Sequence, residues 1–202
     1  MKTGDSMALT TSLDLLRKVR SFSDENAWRD FLSTYEPFIE NWLARQGLDP
    51  HQAADVRQDV MCVLVRELER FEHNGNTGAF RSWLRRITAN QLKTFLRRRS
   101  HLCGTKVQQL EWSVVQLERD DSELASQWDR EHSSFLVGRL LKNVAPDFAE
   151  HTIAAFQQQV FEERSADEVA RRLRMTKASV ITAKSRVLRR LKRHALSMED
   201  LA

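Results

Sequence analysis

The chain has 202 residues, long enough for one or two small domains that each bury a modest core. No stretch approaches a transmembrane span or a signal peptide, and the two cysteines, Cys62 and Cys103, make no disulfide framework. A membrane protein and a disulfide-stapled secreted protein are therefore excluded, a cytoplasmic home with no membrane partner is expected, and Met7 stands as an alternative start to Met1. The formal net charge of +4 is only mildly basic, so it is the distribution of charge that informs.

Six Gly and three Pro, with no run of sustained alternation, make helices the default. "SLDLLRKVR" (12–20) predicts a short leading helix that "SFSDEN" ends. Over 25–46, Trp28, Phe31, Leu32, Tyr35, Ile39, Trp42 and Leu43 recur at three- and four-residue steps, which places them on one helical face. Gly47 suits a C-terminal cap, and Asp49-Pro50 suits the start of the next helix. That helix, 51–71, carries Val56, Val60, Val63, Leu64, Leu68 and Phe71 as a core stripe, widened by Met61 and Val65, with Cys62 read as a buried reduced thiol. "EHNGNTGA" (72–79) is a loop by its turn chemistry.

The third helix, from Phe80 to about Arg99, is basic. Arg81, Arg85, Arg86, Lys93, Arg97, Arg98 and Arg99 wind around a segment that also carries Trp83, Leu84, Ile87, Leu92 and Leu96. One side must pack while the other presents cations with Asn90, Gln91 and Thr94, a face suited to a phosphate backbone. The preceding loop, with Asn74, Asn76 and nearby Phe80, suits an unstacked base held by small polar groups and a ring, although Phe80 and Trp83 each read more readily as core than as stacking rings.

From Glu111 to Glu131 seven acids stand against two bases, among scattered apolar anchors. Residues 101–127 are accordingly expected to form an acidic linker, partly helical. Folded back over the basic faces, such a linker would hold the free protein off DNA, and deleting 111–123 would then raise salt-sensitive binding. Trp128 begins a helix that Pro146 closes, and "DFAE" predicts a helix start capped by Asp147 and running to Phe161.

"SADE" (165–168) reads as a capping box before a short helix with Val169, Ala170 and Leu173 facing inward. A tight turn at Arg174-Met175 follows, and Thr176 caps a second helix whose buried side is Val180, Val187, Leu188 and Leu191. This is the helix-turn-helix plan, with no acid from Val169 to His194. Lys177, Ser179, Thr182 and Lys184 lie where base edges would be met, and Arg171, Arg172, Arg186, Arg189 and Arg190 where phosphates would be. Arg174 stands where a positive φ, and hence Gly, is usual. The fold class is therefore all-α, two small helical domains joined by an acidic linker: a leader helix at 1–22, a helical bundle at 23–100, the linker at 101–127, the helix-turn-helix domain at 128–195 and a tail at 196–202.

"DVRQDVMCVLVREL", a short Gly-containing loop and "FRSWLRRITANQLKTFLRRR" resemble the second conserved domain of the extracytoplasmic-function (ECF) sigma factors of bacterial RNA polymerase. The helix-turn-helix resembles their fourth domain, and "ELASQWDREH" with "AKSRVLRRL" is similar to planctomycete-type members. The resemblance implies a sigma factor that binds core RNA polymerase and directs promoter recognition and opening, with no catalysis, cofactor or metal of its own. It implies core-polymerase docking by Asp55, Gln58, Asp59 and Val60, residues that also read as a solvated face beside a core stripe. It implies −10 contacts from Asn74, Asn76, Phe80, Arg85, Asn90, Lys93 and Arg97, and −35 contacts from Arg171, Arg172, Lys177, Ser179, Thr182, Lys184 and Arg186. The nucleic-acid partners would be double-stranded promoter DNA and the melted non-template strand, and an anti-sigma factor remains an open partner. Ile181 and Ala183 depart from the family's frequent Lys or Arg, which suggests apolar contact with thymine methyl groups.

Two other readings stand beside this one. A free-standing helix-turn-helix repressor or activator explains 165–193 but leaves the first basic helix without a role. A metal-dependent nuclease built on Asp55, Asp59, Glu67 and Glu69 lacks a shared inward face with a His ligand, and His101 and Cys103 are too isolated for a zinc site.

Overall fold

The computed structural model describes Val19 and residues 24–71, 78–98 and 105–197. The expected leader helix, apart from Val19, and most of the 72–79 loop, including Asn74 and Asn76, lie outside the described residues. The described residues are helical, with no strand among them. The chain divides into two compact units, 1–133 and 134–202.

In the first unit, α1 (Glu25–Arg45) opens on Asp24, whose carboxylate accepts from the Ala27 amide at 2.9 Å. It ends at Gln46, and Gly47 follows with φ +98°, a conformation that glycine adopts without strain. α2 (Pro50–Glu67) opens on a reciprocal capping box: Asp49 accepts from the Gln52 amide, and the Gln52 side chain accepts from the Asp49 amide. Proline at the first turn supplies a preset φ where no amide bond is lost. A 3₁₀ turn, Leu68–Arg70, follows α2, and α3 (Ala79–Arg98) begins after Gly78. Gly78 has φ +90°, a conformation that residues with a side chain rarely adopt, so this entry to α3 favours glycine.

α1 packs on α2, and α2 on α3. An aromatic cluster ties α1 to α3: Phe80 lies edge-on to Phe31 and Tyr35 at 6.0 and 5.3 Å, and Phe71 caps it at 5.7 Å. Two details of the α2 reading are corrected. Cys62 is exposed rather than buried, and Val65 is exposed rather than part of the stripe, because Ala53, Val56, Val60, Met61 and Leu64 fill the inward face at helical spacing.

The expected acidic linker differs most from what is seen. α4 (Thr105–Glu118) packs along α3 through buried Leu110, Val114 and Leu117. α5 (Glu123–Val144) crosses the boundary between the units, and its first part belongs to the bundle through Leu124, Ala125 and Trp128. Trp128 is fully buried, edge-on to Phe38 at 5.0 Å and to Trp42 at 4.9 Å. The scattered apolar anchors sit at helical spacing, so each helix buries one stripe and leaves its acids outside.

In the second unit, residues 145–147 form a 3₁₀ turn and α6 (Glu150–Val160) begins at Ala149 with no side-chain cap. Asp147 does not cap this helix; its carboxylate instead takes Arg190 at 2.6 Å. α7 (Ala166–Leu173) and α8 (Lys177–Ser197) pack on α6 and on each other around Ala155, Val169, Val180 and Ala183.

Candidate nucleic-acid and protein interface

α3 places its charge by its own periodicity. Leu84, Ile87, Ala89, Leu92 and Phe95 are buried, so the residues between them are held toward the flanks and solvent. Asn90 and Arg97 are exposed, and Lys93 is half-buried. Two residues expected on this face serve the interior instead. Phe80 is 3% exposed within the aromatic cluster, which revises the expectation that its ring stacks on a base. Arg85 is 2% exposed, with its guanidinium paired to Asp120 and lying 3.8 Å from Asp129. A cation held inside by two acids is not offered to a phosphate.

The remaining cations of α3 are also matched. Arg81 meets Asp129 at 2.9 Å in an ion contact without hydrogen-bond alignment, and it donates to the Ser133 hydroxyl at 3.3 Å. Arg86 meets Asp120 at 2.8 Å, Lys93 meets Glu118 at 2.8 Å, and Arg98 meets Asp59 at 3.1 Å. Of the six described cations on α3, five are therefore ion-paired and Arg97 alone has no such acid among the described residues. Arg86, one step from buried Arg85, lies on the outward side and is exposed.

On α2, Asp55 and Gln58 are exposed, Asp59 is half-buried and Val60 is fully buried. Val60 belongs to the bundle core, so a docking face here consists of the three polar residues without it. Gln58 and Asp59 border an open groove of about 830 Å³ that Glu36, Arg57, Cys62 and Arg98 also line. Arg57 bridges to Glu36 at 3.2 Å and Glu40 at 3.0 Å, which fixes the α1 side of that groove.

Residues 31–102 match the family model of sigma-70 region 2. The match takes in α2, α3 and most of α1, about a third of the chain, and it supports a sigma-factor role in RNA polymerase binding and promoter recognition. No curated protein and no solved structure matches the chain. The region 2 segment thus contains both the acidic α2 face and the basic α3 helix, while the second unit is read from its own geometry.

There, Ser165 accepts from the Glu168 amide at 3.3 Å, and the Glu168 carboxylate accepts from the Ser165 amide at 2.8 Å. The Ser165 hydroxyl, donating to the Glu168 carboxylate at 2.7 Å, and then the Ser165 amide hold the Glu168 carboxyl below its ordinary value. Arg174 closes α7 in the left-handed region at φ 52°, ψ 42°. Thr176 caps α8, its hydroxyl accepting from the Ser179 amide at 3.1 Å. Arg171, Arg172, Lys177, Ser179, Thr182 and Arg186 are exposed and Lys184 is half-buried. Lys177 is paired with Asp167 at 2.7 Å, and the Arg186 guanidinium lies 5.9 Å over the Phe148 ring. Ile181 is 49% exposed, whereas Ala183 is 4% exposed within the core, which corrects the expectation that both residues meet thymine methyl groups. Among the described residues no group of His, Cys, Asp or Glu is gathered to hold a metal, and no helix is long and apolar enough to cross a membrane.

Proposed function

We propose that the chain is an ECF-type sigma factor, of the planctomycete-type variant, that binds core RNA polymerase through Asp55, Gln58 and Asp59 and reads a promoter with both units. The observation that carries this reading is the region 2 match over α1 to α3. The capped helix-turn-helix of α7 and α8 supports it, because one chain then holds two DNA-binding surfaces as a two-box promoter requires. On α3, Arg86, Asn90, Lys93 and Arg97 would meet the phosphates of the −10 element, and the 72–79 loop would take up an unstacked base. On α7 and α8, Lys177, Ser179, Ile181, Thr182 and Lys184 would meet the −35 base edges, with Arg171, Arg172 and Arg186 on phosphates. The protein supplies binding free energy for opening and no bond chemistry of its own.

Size-exclusion chromatography of the full chain with bacterial core RNA polymerase, without DNA, tests the reading. A stoichiometric complex that Asp55→Arg or Asp59→Arg weakens is expected. DNA binding by the free protein with no polymerase complex would instead favour a free-standing helix-turn-helix regulator.

A further inference from the structure

Three of the acids that follow α3 in sequence are placed on its cations. Glu118 ends α4, Asp120 lies in the turn before α5, and Asp129 lies on α5. Between them they take Lys93, Arg86, Arg85 and Arg81, four of the six described cations on the helix. Two kinds of contact are present. Arg81 and Arg85 are 15% and 2% exposed; Arg81 meets Asp129 at 2.9 Å, and Arg85 lies 3.8 Å from Asp129 and pairs with one carboxylate oxygen of Asp120, whose other oxygen takes Arg86. Arg86 with Asp120, and Lys93 with Glu118, are pairs between largely solvated side chains. Such exposed pairs are individually weak and exchange readily for another anion.

We propose that this acidic strap is a built-in competitor for nucleic acid: Glu118 and Asp120 occupy Lys93 and Arg86 in the free protein, and phosphates must displace them to use the α3 face. The proposal rests on the reading of α3 as a DNA-binding helix. α4 need not leave the bundle for the exchange. Its apolar residues Leu110, Val114 and Leu117 stay buried while only the side chains at its end and in the turn let go. The inner contacts, Arg81 with Asp129 and Arg85 with Asp129 and one oxygen of Asp120, remain as the frame, while the other Asp120 oxygen releases Arg86. Free protein would therefore bind single-stranded DNA weakly. A local rise in phosphate concentration, as when a strand is held beside α3, would switch the cations over.

The test uses the full chain and a fluorescently labelled single-stranded oligonucleotide, with anisotropy read across a salt series. Glu118→Gln/Asp120→Asn should bind roughly three- to tenfold tighter at low salt. Its log-affinity should also fall more steeply with log salt, by about 0.7 for each cation released. Glu25→Gln/Glu111→Gln removes the same charge from exposed positions away from these pairs and should leave affinity nearly unchanged. Adding Arg86→Gln/Lys93→Gln to the strap variant should abolish its gain. If the strap variant gains nothing while Arg86→Gln/Lys93→Gln weakens the unmodified chain, the strap is overturned and α3 stands as the DNA face. If neither pair of substitutions changes affinity, α3 is not the DNA face and the proposal falls with it. An equal gain in the Glu25 and Glu111 control overturns the proposal in favour of a bulk charge effect. Far-UV circular dichroism and a thermal melt of each variant confirm that the comparison is between folded proteins.

Discussion

His132 carries a prediction that the bundle makes quantitative. It sits on α5 at 1% exposure, stacked on Tyr35 at 6.0 Å and edge-on to Phe38 at 5.3 Å. Neither ring nitrogen has a hydrogen-bond partner among the described residues. Burial, reinforced by the Arg81 charge, lowers its pKa from the ordinary 6.5 to about 3. The unfolded chain therefore takes up a proton near pH 6.5 that the folded chain refuses until near pH 3. Stability is full above that window, is lost as pH falls through it, and levels off below it. From these two values the loss is about 2 kcal/mol at pH 5 and about 3 kcal/mol at pH 4. All five tryptophans lie in the first unit, so urea unfolding followed by tryptophan emission reports this bundle alone. His132→Leu keeps a similar volume and removes the titration. The variant's stability relative to the unmodified chain should rise by about 2 kcal/mol between about pH 7.5 and about pH 5. Any constant difference between the two proteins reports packing, whereas the change with pH reports the proton. An identical loss of stability in both proteins over that range would refute the reasoning.

Three further outcomes follow from single positions. Phe80→Ala should destabilise the first unit by about 3–5 kcal/mol in the same urea assay, since a core ring is lost from among Phe31, Tyr35 and Phe71; a change below about 1 kcal/mol would return Phe80 to the surface. Ser165→Ala should cost about 1 kcal/mol in the second unit by leaving the Glu168 amide uncapped, read as a lower melting temperature of that unit. Arg174→Gly should stabilise that unit by about 0.5–1 kcal/mol, because the left-handed turn at φ 52° no longer carries a Cβ; unchanged or reduced stability would argue against this turn geometry.

Most helices were legible from the chain because local signals agree with one another. The α2 start could be read from Asp49-Pro50 and the α7 start from Ser165 and Glu168, since a cap joins residues only three apart. Arg174 could be marked as the left-handed position for the same reason. The surface placement of the candidate residues was legible at the exposed positions of α8 and at Asn90, Lys93 and Arg97 of α3. It was not legible at Phe80, Arg85 and Val60, where a ring, a cation and a branched side chain fit either surface or core, and the partner that decides lies on another helix. Asp147 misled because its place before an acidic turn imitates a cap, while its carboxylate is drawn to Arg190 from distant α8.

By itself, the sequence determined the all-helical class, the helix-turn-helix and the basic character of α3, because period, capping and charge are properties of neighbouring residues. Only the tertiary structure decided that residues 105–127 are not a free linker. Leu110, Val114, Leu117 and Trp128 gain nothing until α1 and α3 offer a surface to bury them. With those residues buried, Glu118 and Asp120 of the same segment are brought against Lys93, Arg85 and Arg86 of α3.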